Sequence, residues 1–118
     1  MTLIIYGIKN CDTVKKSTVW FDQHAVGYTF HDFKKEGLDK KTLLSWKKQV
    51  GLEKLINKKS ATYRGLSDAE KLLLEKEVSA LPVILAHPTL LKRPIVEVAG
   101  IVKAVGFEES KFVELTGI

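Results

Sequence analysis

Leu3-Ile4-Ile5-Tyr6-Gly7-Ile8-Lys9-Asn10-Cys11-Asp12-Thr13 is an apolar run that breaks at a glycine, passes through polar residues and reaches the only cysteine of the chain. Residues 3 to 7 read as a buried strand. From Thr13 to about His24 the spacing predicts a helix, with Val14, Ser17, Trp20 and Phe21 on its inward side. Cys11 therefore stands where a strand turns into a helix. The N–H donors and partial positive charge of a helix N-terminus favour the thiolate, the form of cysteine that attacks disulfides and oxidised substrates. Lys15, one turn further on, brings a cation to the same end. A lone cysteine is elsewhere an inert core residue, but Lys9, Asn10 and Asp12 are poor company for a core.

Working outward, Gly27 is expected to close this helix, and Tyr28-Thr29-Phe30-His31-Asp32-Phe33 alternates aromatic with polar residues as a strand does. A βαβ unit of this length makes the first two strands parallel. Asp39 caps a helix running to about Val50, with Leu43, Trp46 and Val50 on one face and Gly51 as its stop. A short turn follows around Leu52 to Ile56. Ser67-Asp68-Ala69-Glu70 is a capping box that opens a helix through Leu74. Pro82 is expected in the first turn of a helix from about Ser79 to His87, where no N–H partner is lost. Ile95-Val96-Glu97-Val98, Ala99-Gly100 and Ile101 to Val105 form a hairpin, and a last helix from Glu109 to Leu115 turns Phe112 and Leu115 inward. The expected architecture is α/β: one domain over residues 1–118, a four-stranded mixed sheet flanked by helices, with a helical insert at about 38–90 between the second and third strands.

A chain of 118 residues, 45% hydrophobic and 28% charged, suits a soluble domain that folds without disulfides or metals. No apolar run approaches the ~20 residues of a membrane span. A single cysteine and the lack of a secretory pattern point to a reducing compartment, the cytoplasm. The net charge of +5 comes from dispersed lysines interrupted by acids, without a nucleic-acid motif, so no direct nucleic-acid contact is expected. A local positive site is enough for a small anionic ligand.

The second candidate cluster is Leu90-Leu91-Lys92-Arg93-Pro94-Ile95, entering the third strand. It reads either as a strand start with two solvated cations or as a site in which Arg93 offers a planar donor to a carboxylate or oxyanion. His24, His31 and His87 share neither ligand spacing nor a second cysteine, so no metal is expected, and His24 is assigned to a helix end. Tyr63-Arg64-Gly65 reads equally as surface or site.

Taken in order, Tyr6 to Lys16, Thr62-Tyr63-Arg64, Leu91-Lys92-Arg93-Pro94 and Val105-Gly106-Phe107 resemble the arsenate reductase and Spx family over nearly the whole chain, most closely its YffB-like branch. The resemblance implies a thioredoxin-like domain, a nucleophilic cysteine after the first strand, and a cis proline beside an active-site arginine. Those roles fall on Cys11, Pro94 and Arg93, with Lys9, Asn10, Asp12, Thr13, Lys15, Arg64 and Lys92 as the surrounding substrate-binding set. Asn57, Lys58, Lys59 and Val105 stand where arsenate reductases of this type use further arginines. Neither Thr13 nor Val14 completes a Cys-x-x-Cys switch.

The function this implies is a glutathione-dependent thiol-disulfide oxidoreductase that is monomeric, binds no cofactor tightly and uses glutathione as co-substrate. Two other readings follow from the same resemblance. One is arsenate reduction with glutathione and glutaredoxin; the other is an Spx-like regulator that binds RNA polymerase without turnover.

Overall fold

The computed structural model describes residues 2–117. In chain order its elements are β1 (Leu3–Gly7), α1 (Asp12–Gln23), β2 (Thr29–Asp32), α2 (Phe33–Glu36), α3 (Lys40–Val50), α4 (Leu52–Leu55), α5 (Ala61–Arg64), α6 (Asp68–Leu73), α7 (Glu77–Ala86), a 3-10 turn (Pro88–Leu90), β3 (Ile95–Val98), β4 (Ile101–Val105) and α8 (Glu109–Thr116). They fall into two compact units. One holds the described residues up to Glu36 and from Arg93 onward, the other Gly37–Lys92.

The first unit is a four-stranded mixed sheet in the order β2-β1-β3-β4. β1 runs parallel to β2 and antiparallel to β3, and β3 pairs antiparallel with β4. This is the thioredoxin-like arrangement. Alternate residues of β1 and β3 point to one face, where Leu3, Ile5 and Val96 meet Trp20 and Phe21 of α1 and Phe112 of α8. Aromatic rings dominate this core: the Phe21 and Phe112 centroids lie 4.7 Å apart, and those of Trp20 and Phe112 5.4 Å. At the β3–β4 turn, Ala99 (φ 51°) and Gly100 (φ 81°) both take left-handed backbone, as a two-residue hairpin turn matching strand twist requires.

Two expectations fail in this unit. α1 is closed by Ala25 at φ 56°, not by Gly27. Val26 N–H donates to Phe21 O and Ala25 N–H to Asp22 O, so an alanine fills the left-handed position that glycine usually takes after a helix. β2 is also shorter than its alternation suggests: Phe33 leaves the strand and opens α2, because Asp32 Oδ1 accepts from Lys34 N–H and turns the backbone. Phe33 stays buried in its new position.

The second unit is helical and rests on local caps. Asp39 accepts from Lys41 N–H at 2.8 Å, Ser60 from Tyr63 N–H at 3.1 Å, and Ser67 and Glu70 form the reciprocal capping box. α5 and the 3-10 turn were not legible in the pattern. Lys92 N–H donates to Leu55 O and Asn57 N–H to Leu90 O, which ties the start of this unit's middle to its end. α7 begins at Glu77, earlier than expected, and Pro82 sits inside it rather than in its first turn. An acid at the first position suits the helix dipole. Pro82 is exposed and Val78 is 85% exposed, so the carbonyl that proline leaves unbonded lies toward water.

Candidate active site at the end of the first strand

Sheet register decides what surrounds Cys11. Tyr6 pairs with Ile95 and Gly7 with Asp32, while Ile95 pairs with Val105. The loop that leaves β1, the segment that enters β3 and the end of β4 therefore share one end of the sheet. Lys9, Asn10, Cys11, Asp12 and Thr13 come to this end from one side, and Arg93 and Pro94 from the other.

Cys11 is the N-cap of α1, with extended backbone (φ −134°, ψ 120°), and no side chain caps the helix. Its carbonyl accepts from Lys15 N–H at 2.9 Å, which starts the helix. The first-turn N–H groups, which have no partners within a helix, are therefore available to a ligand. The side chain is half-buried and the thiol free, while Lys9, Asn10, Asp12, Thr13 and Lys15 are exposed. Gly7 has its own reason: a Cβ there would meet Val14 Cγ2 at 2.7 Å. The first turn of α1 is seated that tightly on the end of β1.

The Arg93–Pro94 peptide bond is cis. Pro94 O accepts from Gly106 N–H at 2.7 Å, so the loop is pinned to the end of β4. Arg93 is half-buried and its Nε is shielded from solvent. Val105 is buried, and its N–H donates to Glu108 Oε1. Arg64 and Lys92 belong to the second unit: Arg64 is exposed at the end of α5, and Lys92 is half-buried.

The histidines serve other ends. His24 caps α1 through Nδ1 and Trp20 O at 2.7 Å, with its ring stacked 3.9 Å from Trp20. His31 lies 4.8 Å from the Tyr6 ring, and His87 Nε2 lies 3.4 Å from Glu70. Among the described residues no cluster of three or more metal-ligating side chains is present.

Sequence reasoning missed Thr18, Tyr28 and Phe30. With Lys9, Val14 and Lys15 they line an open concavity of about 320 Å³. The Tyr28 hydroxyl is pushed above its ordinary pKa, first by burial and then by its hydrogen bond and proximity to Asp22. The available signal was the alternation of Tyr28 and Phe30, which puts both rings on the α1 side of the sheet.

The profile of the ArsC family matches residues 6–115. The chain belongs to the ArsC family. An uncharacterized protein of Haemophilus influenzae is 42% identical over 111 residues, covering 93% of this chain and 95% of that protein. A solved structure described as a YFFB protein superposes with a TM-score of 0.89 at 39% identity, covering 96% of this chain and 97% of that one. An arsenate reductase (ArsC) related protein of Brucella melitensis gives a TM-score of 0.76 at 41% identity, with 100% and 97% covered. An arsenate reductase from Vibrio cholerae, at 17% identity, TM-score 0.69 and 86% and 87% coverage, shares the fold. The YffB-like character of this ArsC-family chain agrees with its motifs.

Proposed function

We propose that this ArsC-family protein is a thiol-disulfide oxidoreductase in which Cys11 is the nucleophile and glutathione the resolving thiol. The observation that carries the reading is a half-exposed, uncapped Cys11 at the head of α1, on the same sheet end as the Arg93–Pro94 loop. In the first step the Cys11 thiolate attacks the glutathione sulfur of a protein–glutathione mixed disulfide; a Cys11–S–S–glutathione bond forms, the old S–S bond breaks, and the protein sulfur leaves as a thiolate. In the second, glutathione thiolate attacks the adduct. Cys11 is released reduced and oxidised glutathione departs, with two electrons supplied by the pair of glutathione molecules. A second thiol must come from outside, because Cys11 is the only cysteine. Arg93 holds a carboxylate of the incoming peptide.

Arsenate reduction uses the same nucleophile and is suggested by the description of the Brucella relative. Buried Val105 supports thiol exchange instead, because it brings no guanidinium to a tetrahedral oxyanion.

Intact mass after incubation with oxidised glutathione tests the proposal. The wild type is expected to gain one glutathione, to lose it on addition of reduced glutathione, and to reduce arsenate poorly. Cys11→Ser should gain none while keeping its circular dichroism. Arg93→Ala should slow the exchange about tenfold or more, the value of one charge-assisted hydrogen bond at ~1.5 kcal/mol. A native protein that resists glutathionylation, or that reduces arsenate efficiently through Cys11, sinks the reading.

A further inference from the structure

The concavity beside α1 has charge of one sign. Its only charged lining groups are Lys9 and Lys15, and among the described residues neither forms an ion pair. Cys11 lies between these two lysines in the chain. Val14, Tyr28 and Phe30 supply an apolar floor, with Tyr28 and Phe30 themselves packed against the aromatic core. The Tyr28 hydroxyl on this lining is engaged by Asp22, itself not a lining residue, and by Thr18. A second concavity shares Lys9 and Phe30 with it and also holds Asp32, Lys35 and Glu36, so of the two only the one lined by Lys15 and Tyr28 has cations as its sole charged lining. Its wall, β2, is an edge strand, with no further strand beyond it among the described residues.

We infer that this groove binds the residues flanking the target disulfide of an acidic protein segment. Carboxylates meet Lys9 and Lys15, an apolar side chain covers Val14, Tyr28 and Phe30, and the outer edge of β2 offers backbone pairing to an extended peptide. The volume, about 320 Å³, is at the small end of ligand sites (about 300–1,000 Å³) and suits a few side chains. Glutathione has carboxylates but no large apolar side chain for the floor, so the groove favours a protein disulfide as substrate. The role of the groove in turnover rests on the proposed reading of Cys11.

The test uses the full Cys11→Ser chain, which removes thiol chemistry from the measurement. Two labelled, end-blocked pentapeptides are titrated at low salt by fluorescence anisotropy: one with glutamates flanking a phenylalanine, the other with lysines in their place. The acidic peptide should bind about tenfold more tightly, as two surface ion pairs exchanged for two repulsions allow. Replacing its phenylalanine by alanine should weaken it several-fold. Adding Lys9→Glu and Lys15→Glu should reverse the preference while circular dichroism stays unchanged. Equal binding of the two peptides, or an acidic preference that survives the double charge reversal, overturns the inference. A wild type that forms the glutathione adduct without any acidic preference removes the groove alone. An acidic preference in a protein whose wild type resists glutathionylation removes the thiol reading alone.

Discussion

The two units of this chain are organised by opposite means. In the sheet unit, partners are far apart in sequence: Tyr6 hydroxyl donates to Glu97 Oε1 across 91 positions, and β1 takes its register from β2 on one side and β3 on the other. In the helical unit, Asp39, Ser60 and Ser67 each accept from an N–H two or three residues ahead. The candidate nucleophile follows β1, a strand of the first kind. Long-range pairing of β1 with β3 is what brings the Cys11 and Arg93 segments to one end of the sheet.

The largest test of this contrast is Phe21→Ala. Phe21 is fully buried and its ring packs with Trp20, Tyr28 and Phe112, so its loss should cost about 3–5 kcal/mol in a denaturant melt. A loss below about 1 kcal/mol would show that the aromatic core does not hold the sheet unit.

Gly7→Ala comes next. The added methyl collides with Val14, so a cost of about 1–3 kcal/mol is expected, with slower Cys11 chemistry because the first turn of α1 must move. Val14→Ala in the same chain should recover part of both losses; a double-mutant cycle with no coupling would mean that the close approach is unimportant.

Asp39→Ala sharpens the other half. Removing the cap should cost about 1 kcal/mol, and hydrogen exchange should rise in α3 while β1 and β3 keep their protection. Faster exchange in the strands would erase the distinction between local and long-range organisation.

The smallest effect is alkaline. Burial and Asp22 raise the Tyr28 pKa in the folded chain, so the native state holds this proton more tightly than the unfolded one. Its contribution is complete below the ordinary phenol value of about 10 and is lost as pH rises from there through the raised native value. Tyr28→Phe should flatten that part of the stability profile, read as melting temperature against pH alongside tyrosinate absorbance. An unchanged slope would place the alkaline loss elsewhere.

Features carried by neighbouring residues were determined by the sequence alone. The Ser67 capping box, the Asp39 cap, the Gly51 stop and the Ala99-Gly100 turn are written in stretches of two to four residues, because a cap or a tight turn is closed by its own neighbours. The strand-to-helix junction at Cys11 was legible for the same reason. Tertiary structure decided what depended on distant partners or on solvent. It let Ala25 take the left-handed position ahead of Gly27, drew Phe33 out of β2 into a buried helical turn, and tolerated Pro82 inside α7, where the missing bond faces water. It also brought the Arg93–Pro94 loop to the Cys11 end of the sheet and gathered Tyr28 and Phe30 beside Lys9 and Lys15. A sheet register is a pairing between segments far apart in the chain, and no window of neighbouring residues contains it.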